Sequence, residues 1–351
     1  MTPIRPLTRG DLSAVSALYE RIARSGADTP VAGLHEQFER TLFRNPQADP
    51  EIPSLVYDDP ASGIIGFIGS HPRRLRFGGR ELRMACSGQL VADPSAGPPG
   101  VGALLMRKYL SGPQDLTITD GATDNVRAMW ERLGGRASAL CSLGWTRILA
   151  PAAFGHAMME RRGRSLPSAP GRILDTAARR WVAPRETPAV SEPLGAAALA
   201  AAMDGLADEF SLRPVYDEPF AEWLLNEATA VRARGELVAR AVSIDGTAAG
   251  WYVAYVPLDG IAQVIQLGGP ARAVGTVLDR LFADCARAGC AAVQGRLEAP
   301  LLAAVRERRC LIRRTEWALI AAEEPAVLAA IAYGDALLTR LDGEWWMGHH
   351  L

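Results

Sequence analysis

The chain has 351 residues, 48% of them hydrophobic and 22% charged, with a formal net charge of −1 and a mean hydropathy near zero. This describes an ordinary soluble globular protein, long enough for two domains rather than one. The balanced charge speaks against nucleic acid or an anionic membrane as a general partner, and no uncharged apolar run reaches membrane-spanning length.

In chain order, Ile4 to Leu7 reads as a short strand. Asp11 then caps a helix with Leu12, Val15, Leu18, Tyr19 and Ile22 at helical spacing. A second helix, around Leu34 to Phe43, is stopped by Asn45-Pro46. Ser54 to Tyr57 is a strand, and Gly63 to Phe77 a longer one, bent at His71-Pro72. Phe77-Gly78-Gly79-Arg80 makes a hairpin turn into an extended run from Leu82 to Ala92. A Pro/Gly turn follows, then a helix from Val101 to about Tyr109 and a strand from Asp115 to Thr119. Thr123 or Asp124 caps the next helix, with Val126, Met129, Trp130 and Leu133 on its inner face, and a strand from about Ala139 to Leu149 closes the half.

Residues 151–190 are rich in Arg, Pro and Gly and read as a linker with one helix, Ile173 to Trp181, whose arginines form a solvated face. The element order then repeats. Helices are expected at Gly195 to Leu206 and Glu218 to Asn226, and strands at Leu237 to Ile244 and Ala249 to Val256 around an Asp245-Gly246 turn. A strand at Ile261 to Leu267, an amphipathic helix at Ala271 to Arg287 and a strand at Cys290 to Leu297 follow. A short helix at Pro300 to Arg308 and a strand at Leu311 to Ala321 complete the half. The repeat is one of pattern, without close identity, and divides the chain at 1–150, 151–190 and 191–351. The C-terminal LDGEWWMGHHL is expected to dock by burying Trp345 and Trp346 rather than to bind metal through His349-His350.

Lys108 is the single lysine among 38 basic residues and reads as a solvated helix residue. Cys86, Cys141, Cys285, Cys290 and Cys310 form no C-x-x-C pair, so reduced thiols are expected rather than disulfides or zinc. With no apolar signal core in MTPIRPLTRGDL, a cytoplasmic location is the expectation.

The stretch Arg80 to Leu110 organises the rest. A strand feeding a glycine-rich turn and a helix N-terminus offers unpaired N–H groups and a positive dipole end to an anion. The turn reads Pro94-Ser95-Ala96-Gly97-Pro98-Pro99-Gly100-Val101-Gly102, which is not the dinucleotide G-x-G-x-x-G.

This turn, with the element order around it, resembles the P-x-x-[R/Q]-x-x-G-x-[G/A] motif of the GCN5-related N-acetyltransferase family, matching at every position but one. The resemblance covers residues 3–150 by motif and order and 190–322 by order alone. It implies an α/β (α+β) fold of two consecutive acyl-CoA N-acyltransferase-like domains, each a mixed, mostly antiparallel twisted sheet flanked by helices. It also implies acetyl-CoA or another acyl-CoA as co-substrate, with no metal, and a small amine, amino-sugar or amino-acid acceptor in the cleft between domains. Carried over, Leu90, Val91 and Ala92 face the pantetheine, and the amides of Gly97, Pro98, Pro99, Gly100, Val101, Gly102 and Ala103 wrap the pyrophosphate, proline lacking the N–H. Asn125 and Trp130 occupy the coenzyme-side helix. The second half lacks the turn and is expected to bind no coenzyme.

Three positions depart from the family. Gly97 replaces an Arg or Gln, a phosphate contact that Arg107 is placed to supply. Trp130 stands where a tyrosine often protonates the leaving thiolate, and Cys86-Ser87-Gly88-Gln89 carries no glutamate base. Asp120 is the nearest carboxylate and Ser87 a candidate relay, so both are the expected catalytic residues. The alternative is a non-catalytic module of the same fold that binds acyl-CoA or a protein.

Overall fold

The computed structural model describes residues 3–24, 26–27, 29–160, 163, 175 and 182–347. The expected helix Ile173 to Trp181 and the pair His349-His350 lie outside the described residues. Helix α1 is Leu12–Tyr19 and α2 is Leu34–Phe38, each continuing into a wider π-helical turn, Glu20–Arg24 and Glu39–Phe43.

Strands β1 (Ile4–Pro6), β2 (Leu55–Asp59), β3 (Gly63–Phe77) and β4 (Arg80–Ala92) run antiparallel, and β5 (Leu116–Ala122) adds to β4 in parallel. The β3–β4 hairpin turns at Gly78 and Gly79, whose φ values of +53° and +85° suit glycine. Helices α3 (Val101–Leu110) and α4 (Asp124–Arg132) flank β5 in sequence. The strand expected over Ala139 to Leu149 is confined to β7 (Leu143–Ile148), and a turn separates it from a two-residue strand upstream, β6 (Arg136–Ala137).

The second half supplies β8 (Val190–Pro193), β9 (Leu212–Pro214), β10 (Glu236–Ile244), β11 (Thr247–Val256), β12 (Ile261–Gly268) and β13 (Ala292–Arg296). The β10–β11 hairpin turns at Asp245-Gly246 as expected, with φ of +49° and +76°. The strand expected over Leu311 to Ala321 is divided, into β14 (Leu311–Arg314) and β15 (Trp317–Ala321).

At both places the chain changes sheets, between β6 and β7 and between β14 and β15. The first sheet runs β1-β2-β3-β4-β5-β15-β6, with β9 against β3, and the second β14-β7-β13-β12-β11-β10-β8. Each is mixed and mostly antiparallel, with one parallel pair, β4–β5 in the first and β12–β13 in the second. Beside that parallel pair each sheet places a strand from the other half: β15 beside β5, and β7 beside β13. Two serines hold the crossing. Ser142 donates its hydroxyl to the Ser138 carbonyl at 2.6 Å and accepts from the Ala318 N–H at 3.0 Å. The Ser138 N–H donates to the Ala318 carbonyl at 2.8 Å. Both serines are buried, so the hydroxyl of Ser142 meets a backbone need that water cannot reach.

Helices cover both faces. Val15, Leu18 and Phe38 of α1 and α2 pack on Phe67 and Val91, while Val101, Leu105 and Tyr109 of α3 pack on Ile65, Ile68 and Ala85. On the second sheet, Val277, Leu278, Leu281 and Phe282 of the helix Val274–Arg287 cover Trp145 and Val293. The helices Ala196–Asp204 and Glu218–Ala230 cover the opposite face, and Leu337, Leu341, Trp346 and Met347 complete that core.

Residues 337–347 thus form part of the interior. The Leu341 N–H donates to the Ile265 carbonyl at 2.8 Å, and the Trp346 indole donates to the Leu341 carbonyl at 3.1 Å. Trp346 is 1% exposed. Replacing it with alanine is expected to lower folding stability by about 3 kcal/mol. Denaturant unfolding checks this, and an unchanged midpoint would show that the segment is not an integral part of the core.

Candidate active site

The site begins where two parallel strands part. Strand β4 pairs with β5 only over Met84↔Leu116, Ala85↔Thr117 and Cys86↔Ile118, although β4 continues to Ala92 and β5 to Ala122. Beyond that point β5 belongs to β15, with Ala122 opposite Trp317. Strand β4 bends away at Gln89, which takes a φ of +49°, and its register with β3 shifts between Phe67 and Gly69. An extra residue on one strand kinks it, and here the kink opens a fork from Ser87 on one arm and Thr119 on the other.

Above the fork is the glycine turn. Asp93 accepts from the Ser95 N–H at 2.9 Å and its hydroxyl at 2.6 Å, and pairs with Arg21 at 2.9 Å. The Ser95 hydrogen bonds, with Arg21, hold its carboxyl below the usual range. Gly97 has a φ of +70°, and a Cβ there would lie 2.2 Å from Ile65 Cδ1, so the turn requires glycine where the family places a longer residue. Gly100 is the N-cap of α3 with a φ of +86°, and an added Cβ there would meet nothing within 4 Å. Pro98, Pro99 and Gly100 are exposed, Gly102 and Ala103 half-buried, and Val101 is buried as the anchor of the helix. The open space at Gly100, at the N-terminus of α3, therefore fits a pyrophosphate. Leu90 and Ala92 pack toward α3, whereas Val91 points into the core on the opposite face. Asn125 is exposed on the first turn of α4. Arg107 is exposed on the last turn of α3. Trp130 is in the core, 1% exposed, and its indole donates to the Ile320 carbonyl at 3.1 Å.

At the fork itself the structure supplies a carboxylate that lies far away in sequence. Glu344 accepts from the Asp120 N–H at 2.9 Å, the Gly121 N–H at 3.1 Å, the Thr119 hydroxyl and the Cys86 thiol, the last at 3.4 Å. Its Cγ lies where a Cβ on Gly88 would be only 3.0 Å away, so Gly88 leaves room for it. Burial, together with the Asp120 carboxylate, pushes the Glu344 carboxyl up to about 8. The same burial and both carboxylates push the Cys86 thiol well above its ordinary value, which leaves it inert.

Asp120 has a positioning geometry. One oxygen accepts from the N–H groups of Glu344 at 3.0 Å and Trp345 at 2.9 Å, and the other pairs with Arg296 at 3.1 Å. Arg296 also contacts Glu298 at 3.3 Å and donates to the Leu338 carbonyl. Burial alone would weaken the Arg296 charge, but Glu298, Asp120 and their neighbours more than offset it. Burial pushes Glu298 up to about 7. Ser87 sits at the first unpaired position of β4, and its hydroxyl donates across the fork to the Ile118 carbonyl at 3.4 Å. Ser87, Asp120 and Glu344 are thus gathered at one point, while Val91 and Trp130 face packing. The signal for Glu344 in the sequence was slight: one carboxylate beside the two tryptophans of a segment read as a docking anchor.

No described helix is long and apolar enough to cross a membrane, and among the described residues no group of side chains is arranged to hold a metal ion. Glu344 and Glu298 bind protons more tightly folded than unfolded, so between about pH 5 and 8 the folded state holds more protons. Folding stability is therefore expected to fall as pH rises through this window. Unfolding midpoints across pH check this, and Glu344→Gln is expected to flatten the decline. An equal slope in the variant would deny Glu344 a raised pKa.

No family model matches the chain, and no curated protein sequence matches it. Solved structures do. A GCN5-related N-acetyltransferase from Anabaena variabilis ATCC 29413 superposes with a TM-score of 0.60 at 10% identity, over 92% of this chain and 73% of that one. A probable N-acyltransferase from Enterococcus faecalis V583 gives 0.59 at 11%, over 92% and 72%. Eis1 from Mycobacterium abscessus gives 0.53 at 16%, over 93% and 75%. The likeness spans both sheets, and the chain has the fold of the GCN5-related N-acetyltransferases across its two halves.

Proposed function

We propose that the protein is an acyl-CoA-dependent N-acyltransferase that acts on a small amine reaching the fork from the groove between the two sheets. The observation that carries this reading is the parallel β4–β5 pair parting after Cys86 and Ile118, beneath a glycine turn at a helix N-terminus and beside a buried carboxylate. Acyl-CoA, when bound, supplies the acyl group as a thioester; acetyl-CoA is the simplest candidate.

The chain's own residues divide the remaining work. The first-turn amides of α3 and the open turn at Gly100 receive the pyrophosphate. The arm of β4 beyond Cys86 has no β5 partner, so it is the strand edge along which an amide-bearing chain would lie. An alkylammonium has a pKa of about 10 and must lose a proton before it can attack. Glu344, with a carboxyl pushed up to about 8, is better matched to take that proton than an ordinary carboxylate. Asp120 acts through Glu344 as a positioning residue, by holding the backbone on which it sits. Ser87, at the mouth of the fork, keeps its role as a hydrogen-bonding relay. Trp130 offers no acidic proton, so no side-chain acid is assigned to the leaving thiolate.

A second reading, a non-catalytic coenzyme-binding module, is favoured by one observation: the Glu344 carboxylate already accepts from Thr119, Asp120, Gly121 and Cys86. Turnover separates the two. Calorimetric titration is expected to detect acetyl-CoA binding by the wild type and none by Gly100→Glu, which puts a side chain and a negative charge at the helix N-terminus. Equal binding by the two proteins would remove the proposed cradle. Glu344→Gln is expected to lower kcat about 100-fold at unchanged coenzyme affinity. The wild-type rate should rise with pH through about 8, as the base ionises, and the variant should lose that limb. Binding without release of free thiol against a panel of amines would favour the non-catalytic module.

A further inference from the structure

A cavity of about 380 Å³ opens where the two sheets meet, and its wall includes Gly121 and Trp345. Both adjoin the proposed base: Gly121 donates to the Glu344 carboxylate at 3.1 Å, and Trp345 follows Glu344 in the chain. The volume suits a small molecule.

The floor of the cavity is polar where a sheet face between layers is usually apolar. Gln263, Gln294 and Thr146 are register partners across β12, β13 and β7. The Gln294 amide donates to the Thr146 hydroxyl at 3.1 Å, and the Gln263 amide donates to the Gln294 oxygen at 3.2 Å. Such a row of amides can turn a free N–H or C=O to a polar ligand.

The walls are cationic. Arg234, Arg313 and Arg340 line the cavity against one carboxylate, Glu316. Arg234 and Arg340 lie over the ring of Trp345 at 3.6 and 3.9 Å, which holds two positive groups close together. Arg340 is 5% exposed and pairs with Glu316 at 3.1 Å, and its Nε has no hydrogen-bond partner. Burial works against its charge, with Glu316 the first compensation. Arg313 is exposed at the rim on β14. A buried guanidinium with an unused donor, beside a second cation, is a receptor for a planar or tetrahedral anion.

We propose that this cavity binds the anionic end of the acceptor, so that the substrate class is small amines bearing a carboxylate or phosphate group. The inference deepens the acyl-transfer reading above and rests on it for the amine. The arginine cluster would orient the anion at one end of the cavity, leaving the amine at the end nearest Gly121 and Glu344.

The test measures binding directly, by calorimetry on the full chain without coenzyme, so that it does not depend on turnover. Glutamate and glucosamine 6-phosphate are the anionic probes, and putrescine and glucosamine the controls without an anionic group. At least one anionic probe is expected to bind about tenfold more tightly than either control, and the gap should narrow as salt rises from about 50 to about 500 mM. Arg313→Glu, at the exposed rim, is expected to weaken that binding about tenfold with an unchanged melting temperature. Arg340→Lys keeps the buried charge but loses the fork, and should weaken it as well. The proposal is overturned if no anionic probe binds, if the controls bind equally well, or if both variants bind as the wild type does. Anion binding with no acyl transfer from acetyl-CoA would keep the pocket and remove the enzymatic reading. Transfer to amines without any preference for an anionic group would remove the pocket alone.

Discussion

One buried carboxylate joins the three parts of this molecule. Asp120 stands on β5 of the first sheet, Arg296 on β13 of the second, and the N–H groups of Glu344 and Trp345 belong to the segment that closes the core between them. Two charges removed from water are costly unless their remaining hydrogen-bonding positions are also met. Here they are: one Asp120 oxygen takes two backbone donors, the other takes Arg296, and Arg296 has Glu298 and the Leu338 carbonyl besides. The arrangement is tolerable only when both sheets and the segment are in place together. It therefore acts as a registry device for the whole fold.

The strand exchange makes that junction possible. Because β15 sits beside β5 and β7 beside β13, the chain passes between the sheets side by side with itself at Ser138–Ser142 and Thr315–Ala318. The fork in the first sheet and the polar floor of the groove in the second are consequently close neighbours. The bulge at Gln89 then sends β4 away from β5, while β15 holds β5 in place. The gap is a product of both sheets, and neither half of the chain could form it alone.

The same economy explains how the site lacks the family's side chains at the expected positions yet keeps a carboxylate at the fork. Gly88 leaves the space, Thr119, Asp120 and Gly121 supply donors, and the segment after residue 335 brings in Glu344. Burial, with Asp120 beside it, disfavours the ionised form of this glutamate and so raises its proton affinity. Trp130, free of any acid role, fills the space between α4 and the sheet and satisfies the Ile320 carbonyl.

Much of the architecture was legible in the sequence. Alternation and helical spacing locate the long strands and most helices but not the helices Pro151–Glu160, which falls in the expected linker, and Pro325–Tyr333. The Gly78-Gly79 and Asp245-Gly246 turns set two hairpins, and the glycines from Gly97 to Gly102 mark the turn above the fork. The tryptophans of LDGEWWMGHHL mark a docked segment, Trp346 above all. These are local signals: they say which face of an element is buried and where the backbone must take a left-handed conformation. They do not say which neighbour covers that face. The run 311–321 reads as a single strand because two short strands in different sheets, β14 and β15, follow each other with the same alternation. Asp120 reads as a candidate catalytic carboxylate, because the partners that hold it lie 176 and 224 residues away. Glu344 carries no local signal, because its burial and its four donors come from what surrounds it. Chain pairing over that distance and the removal of water are properties of the assembled core, and only the tertiary structure decides them.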